Sequence, residues 1–206
     1  MREAETKGLP WHRADATGPK SKHLPRAENR ISRFDPAAVA AVRLLIFTGC
    51  RLREILHLKW AEIDFERGLL FLGDSKTGKK SVVLNAPALA VLQDLPRRSA
   101  YVIPGDSSDT PRADLKRVWS AVTARADLAG VRIHDLRHTF ASYGAGGGLG
   151  LPIVGKLLGH TQASTTQRYA HLDADPLRRA ADTIGATIAA AMDVRKDGNV
   201  VKLERG

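Results

Sequence analysis

LLGHTQASTTQRYAHL, residues Leu157 to Leu172, closes a leucine-rich helical run with a Gly-His pair and sets Tyr169 nine positions after His160. The chain has only three tyrosines. A tyrosine destined for a core wants apolar neighbours at helical spacing. Residues 161–168 instead read Thr-Gln-Ala-Ser-Thr-Thr-Gln-Arg, a solvated or ligand-facing segment. What Tyr169 faces depends on which other groups of the chain can stand beside a phenol hydroxyl.

Charge narrows the partner. Of 206 residues, 43% are hydrophobic and 26% charged, the balance of a soluble globular domain with or without tails. No apolar run approaches the roughly 20 residues of a membrane span, so no membrane partner is expected. The polar start MREAETKGLPWHRADATGPK is unlike a signal peptide. A single cysteine, Cys50, excludes an internal disulfide, and a cytoplasmic location is expected. Thirty-two Lys and Arg against 22 Asp and Glu leave a formal charge of +10, which favours a polyanion, nucleic acid first. The same surplus also describes an unspecialised basic surface, and it implies no chemistry.

Residues 1 to 34 lack apolar periodicity and read as a basic, flexible tail or linker. Order begins at Asp35-Pro36, an N-cap followed by a residue suited to the first helical position. Val39, Val42, Ile46 and Phe47 give that helix an apolar face, and Gly49 can end it. A second helix follows, with Leu52, Ile55, Leu56 and Leu58 inward. Three strand-like runs, at residues 61–65, 69–72 and 81–84, are broken by Glu66-Arg67-Gly68 and by Ser75-Lys76-Thr77-Gly78, which predicts a small antiparallel sheet. The rest is helical in pattern, with breaks at Pro104 and Pro111 and a glycine-rich loop over 144–150. A last helix, 177–192, follows Asp175-Pro176 and carries a stripe of Leu177, Ala181, Ile184, Ile188 and Met192. Residues 193–206 read as a disordered tail. The fold class is α+β, mainly α-helical.

Two segments approach the phosphate-binding loop pattern, GDSKTGKK (73–80) and GLPIVGKL (150–157). Each lacks the Ser or Thr that must follow the lysine to hold magnesium, so no nucleotide is expected. His134 and His138 have a zinc-compatible spacing, but no Glu follows the first and no cysteine cluster completes a site, so neither metal nor cofactor is expected. His12, His23 and His57 lack identifiable partners.

VRIHDLRHTFAS is different. Leu136, Phe140 and Tyr143 fall on one helical face at i, i+4, i+7 and would anchor it in the core. His134 and Arg137, three apart, can converge on one small anion or can be a surface pair. TGCRLREIL places Arg51 just past a glycine at the opening of a helix, where an anion would feel both guanidinium and helix N-terminus. Glu54 can orient that arginine or be a surface acid.

In order, spacing and flanking residues, TGCR with Glu54, then HDLRH, then LLGH, then Tyr169 resembles the tyrosine recombinase (phage integrase) family, over roughly 35–192. The family pattern is Arg, His-x-x-Arg, a His or Trp in a Leu-Gly-His motif, and a nucleophilic Tyr about nine residues on. A lysine in the hairpin of the small sheet completes it. SKTGKK puts Lys76 there, with Lys79 a nearby competitor.

The resemblance implies a tyrosine-recombinase catalytic domain that cleaves and rejoins double-stranded DNA for integration or excision. Tyr169 would attack a phosphodiester to give a 3′-phosphotyrosyl bond and a free 5′-hydroxyl, presented to DNA rather than packed away. Arg51 and Arg137 would hold the non-bridging oxygens, and His160 would add a hydrogen bond. His134 would accept the tyrosine proton or donate to the phosphate, and Lys76 would protonate the leaving 5′ oxygen. His138 and His171 match flanking positions of the family, with a structural role favoured. Self-association on DNA, four protomers at paired sites, is implied with it. No counterpart of the family's separate DNA-clamping domain is expected before Asp35. A DNA-binding remnant without turnover and a type IB topoisomerase remain the alternative readings.

Overall fold

The structure is a computed structural model that describes residues 1–10, 31–75, 78–107, 110–160, 162–172 and 176–194. Its organising element is α2, Pro36–Thr48. Asp35 caps it, its carboxylate accepting the Ala37 N–H at 3.0 Å, and Gly49 ends it at φ +64°. The sequence places one apolar face on this helix, but burial runs nearly all round it, from Ala37 to Thr48. Small Ala side chains explain the difference. They carry no periodic signal, yet they let α4 (Ala86–Gln93) and α6 (Asp135–Gly146) pack close. A helix apolar on all sides belongs in the middle of a domain.

Helix α3, Leu52–Leu56, follows α2 and buries Ile55 and Leu56, with Leu58 just beyond. The small sheet is present: β3 (Ile63–Asp64), β4 (Leu69–Ser75) and β5 (Gly78–Val83), antiparallel in that order. Leu70 pairs Val82 and Leu72 pairs Lys80. Side-chain alternation buries Leu70, Leu72, Val82 and Leu84 while Phe71 and Val83 face solvent. Lys80 shares the inner face with Val82.

Helices α5 (Lys116–Arg125), α7 (Leu151–Leu158) and the short α8 (Ser164–Gln167) complete the body, and α9 spans Pro176–Val194. The predicted glycine-rich loop begins later than expected, because α6 runs through Gly146. Tyr143 departs from expectation: it is 81% exposed. The inward side of α6 is Arg137, Ala141 and Ala145 at i, i+4, i+8, beside the face chosen from the bulky residues. Size misled the periodic reading there, since the alanines fit the tighter contact.

Residues expected to form a tail are in part packed. Helix α1, Arg2–Thr6, buries Ala4, and β1 (Leu9–Pro10) buries Leu9 and pairs antiparallel with β2 (Ile31–Ser32). Glu5 pairs with Arg43 at 2.8 Å and Glu3 with Arg125 at 3.1 Å, tying the segment to α2 and α5. Two apolar side chains make no sequence period, so this contact was invisible in the pattern. In α9, every side chain from Ala181 to Ala190 is exposed, with Ile184 at 60% and Ile188 at 54%. Among the described residues no helix is long and apolar enough to cross a membrane. Residues 195–206, which hold most of the expected C-terminal tail, lie outside the description.

Candidate active site

Two turns converge beside α6. The first is the TGCR turn, where Gly49 stands so close to its neighbours that a Cβ would lie 2.6 Å from the Phe140 ring and 2.9 Å from Leu158. The second is the end of α7, where Gly159 (φ +69°) reverses the chain into His160. Arg137 of α6 joins them. It is 6% exposed and donates from Nη1 to the Gly49 carbonyl at 2.5 Å and from Nη2 to the Leu158 carbonyl at 2.7 Å. Arg51 therefore starts two residues from one anchor, and His160 two residues from the other. The acceptors recorded for Arg137 are neutral carbonyls, so its charge is positioned without being paired to a carboxylate.

Arg51 stands at the N-cap of α3. Its backbone N–H donates to Glu54 Oε2 and its Nη1 donates to Glu54 Oε1, both at 2.8 Å. Glu54 is thus no surface acid; it is 8% exposed. Burial pushes its carboxyl pKa up, but the Arg51 backbone N–H and the Lys80 ammonium outweigh that and hold it below the usual value. Lys80, at 3.1 Å from Glu54 Oε2, comes from β5 and was not anticipated. The signal was present: a lysine on the inner face of an otherwise apolar strand needs an opposite charge.

His160 keeps its ring beside a hydroxyl, with Nδ1 2.9 Å from Thr166 Oγ1. Burial and then the charges of Arg137 and Arg51 drive its pKa down to about 4, so it is neutral at physiological pH. Thr166 is the buried member of an otherwise mostly exposed polar run, and its hydroxyl would touch a Cβ on Gly155 at 2.8 Å. Small glycines at 49, 155 and 159 therefore let the two turns and α8 meet.

Tyr169 corrects the opening expectation. It is 6% exposed and packs with Ala141, Ala145, Val154 and Leu158. The polar run before it supplies no apolar period because the pocket comes from α6 and α7, distant in sequence. Its hydroxyl lies 2.6 Å from His138 Nδ1. Burial raises the phenol's pKa, against the lowering effect of Arg168 and Arg137. His138, for which a structural role was favoured, is thus the histidine at the tyrosine. His134 sits one turn earlier, its ring edge-on to His138 with centroids 5.2 Å apart. Burial first, then His138 and Arg137, lower its pKa. His171 is exposed in the turn Ala170–Leu172. Lys76, between β4 and β5 in sequence, lies outside the described residues, and Lys79 is described in its backbone alone.

Five of the six expected site residues, Arg51, His134, Arg137, His160 and Tyr169, therefore come from four separate stretches and gather around α6. A buried and a half-buried guanidinium, imidazoles and a phenol brought together suit an anion undergoing nucleophilic attack.

Comparison with known proteins places the chain in a family. The model of the phage integrase family matches residues 27–175. The tyrosine recombinase XerA of Thermococcus onnurineus is 34% identical over 146 residues, which cover 66% of this chain and 51% of that one. The catalytic domain of bacteriophage HP1 integrase superposes with a TM-score of 0.54 at 22% identity, covering 69% of this chain and 79% of the other. The Tn1549 transposon integrase, solved with circular intermediate DNA, gives 0.60 at 17% identity, over 82% of this chain and 69% of that one. These structural likenesses concern the fold. The chain spans about half the length of the XerA relatives it matches.

Proposed function

This chain belongs to the phage integrase family of tyrosine recombinases, and from that premise we propose that it cleaves and rejoins duplex DNA through a 3′-phosphotyrosyl intermediate. The observation that carries the reading is Arg137 bonded to the carbonyls of Gly49 and Leu158. That contact ties together the turns from which Arg51 and His160 start, which supports a shared anion site for them near Tyr169.

In the reaction, Tyr169 Oη attacks phosphorus and the P–O5′ bond breaks. The phenol proton passes to His138, which already stands 2.6 Å away. The leaving 5′ oxygen takes a proton from Lys76 in the hairpin. Phenol is more acidic than an alcohol, so the phenolate leaves when a 5′-hydroxyl attacks in return. One phosphoester replaces another, and rejoining needs no external energy source. Arg51 and Arg137 hold the non-bridging oxygens, where charge builds in the transition state. A neutral His160 whose Nδ1 accepts from Thr166 carries its proton on Nε2 and can donate it to the same phosphate. His134 meets His138 edge-on and orients it.

Tyr169 is covered in the present arrangement, so the segment from α8 to α9 shifts to bring the hydroxyl to the phosphate. Self-association on DNA fits α9, a 19-residue helix with Ile184 and Ile188 bare; it docks on a neighbouring protomer and couples assembly to the position of the tyrosine. A nicked suicide duplex tests the reading. A covalent adduct that survives denaturation supports strand transfer, and binding without adduct would leave a DNA-binding module.

A further inference from the structure

We propose that Lys80 is a positioning residue of the phosphate clamp: by occupying Glu54 it keeps the guanidinium fork of Arg51 free for the scissile phosphate. The inference rests on the strand-transfer reading and adds a residue outside its motifs.

Lys80 leaves β5 on the inner face, opposite Leu72, and its side chain is 7% exposed. Its Nζ ends 3.1 Å from Glu54 Oε2, itself on a side chain 5% exposed. The route passes over Gly159, where a Cβ would stand 2.8 Å from Lys80 Cε. The glycine of the Leu-Gly-His turn thus serves the lysine as well as the reversal of the chain. A residue threaded this way does not sweep the surface for DNA phosphates, unlike a lysine at a hairpin tip.

The effect on Arg51 follows from counting acceptors. A carboxylate alone with an arginine favours the two-bond, fork-to-fork pair, which consumes two guanidinium N–H groups. Glu54 Oε2 is instead shared by Lys80 Nζ and the Arg51 backbone N–H, leaving Oε1 to accept one bond from Arg51 Nη1. The other donors of the fork stay available. Charge points the same way. Arg51, Arg137 and Lys80 against Glu54 leave a surplus of two positive charges with His160 neutral. A phosphodiester gains negative charge on its way to the transition state, so the surplus matches the state to be stabilised. Removing Lys80 would halve the surplus and release Glu54 to capture Arg51.

The test compares unsubstituted protein, Lys80→Met and the double variant Lys80→Met/Glu54→Gln on a nicked suicide duplex at saturating DNA. Lys80→Met should slow adduct formation by about ten- to a hundredfold, the usual cost of losing a partner that orients a ligating side chain. Duplex affinity should not change, because the ammonium is buried. The double variant should recover part of the rate, since no carboxylate remains to seize Arg51; a packing defect would not recover. A 5′-bridging phosphorothiolate should not rescue Lys80→Met, because Lys80 transfers no proton. Should Lys80→Met fail to fold, Lys80→Gln, which keeps a donor to Glu54 without the charge, should show a smaller loss of the same sign, again relieved by Glu54→Gln. Unchanged cleavage, or selective rescue by the sulfur substrate, overturns the proposal. Absence of adduct from the unsubstituted chain would instead count against strand transfer itself. The lysine's part is then decided by inorganic phosphate binding to the free protein, which Lys80→Met should weaken severalfold and which, if unchanged, refutes it.

Discussion

At the scale of single residues, the site combines positions that must be free to react with positions that are held. Tyr169 is both, packed among Ala141, Ala145, Val154 and Leu158 with its hydroxyl on His138. Tyr169→Phe should abolish the covalent adduct and leave DNA affinity nearly intact. Losing the hydroxyl's bond should also cost about 1 kcal/mol of stability, readable by denaturant titration. An adduct from the phenylalanine variant would move the nucleophile to another tyrosine. The arginines ask for geometry as much as charge. Arg137→Lys cannot reach the Gly49 and Leu158 carbonyls with two parallel donors. Arg51→Lys and Arg137→Lys should each lower the cleavage rate by about two orders of magnitude or more, as for other preorganised oxyanion contacts. Near-normal rates in both would refute the clamp. His160 sets a pH signature. Its folded pKa, about 4 against an ordinary 6.5, means that between those values the unfolded chain binds a proton that the folded one refuses. Stability therefore falls as pH drops through that window, and His160→Gln should flatten the fall in thermal melts recorded from pH 7 to 4. An unchanged profile would place the titration elsewhere.

At the scale of elements, the β4–β5 hairpin and α9 carry the open assignments. The hairpin sets lysines at 76, 79 and 80, and strand alternation sends Lys80 inward. The proton donor can be identified by changing the leaving group, since a 5′-bridging phosphorothiolate expels a thiolate that needs no acid. Lys76→Ala should cleave ordinary DNA poorly and the sulfur substrate almost normally. Lys79→Ala should show a smaller defect without selective rescue, and the reverse pattern would shift the acid three positions along the hairpin. Helix α9 has no described side chain buried between Ala181 and Ala190. Removing residues 175–206 should thus leave a folded protein that binds one site but no longer pairs sites. A deletion product that aggregates or unfolds would place the helix in its own core.

At the scale of the whole molecule, the charge of +10 favours a duplex partner whose binding is dominated by phosphates. The affinity for duplex DNA should fall linearly with the logarithm of salt concentration, by roughly one phosphate's worth of slope for each cation engaged. Surface lysines should lower that slope when neutralised, whereas buried Arg137 and Lys80 should alter rate instead. A salt-independent affinity, measured by fluorescence anisotropy, would argue against a phosphate-tracking surface.

The sequence by itself determined the elements with strong local codes. The Asp35 cap and Gly49 stop bounded α2, the alternation of β4 and β5 set the sheet, and the motif order named five of the residues that gather at the site. Those features depend on capping, backbone conformation and side-chain period within a few residues. Tertiary structure alone decided how the pieces meet. Contacts between segments far apart in the chain leave no local period, and small residues that permit close approach give the weakest signal of all. Thus Tyr143 emerged into solvent while Ala141 and Ala145 turned inward, and Tyr169 found a pocket made by α6 and α7. Lys80 and His138, neither assigned a chemical part by its motif, reached Glu54 and the tyrosine hydroxyl through packing that brings a strand and two helices to one point.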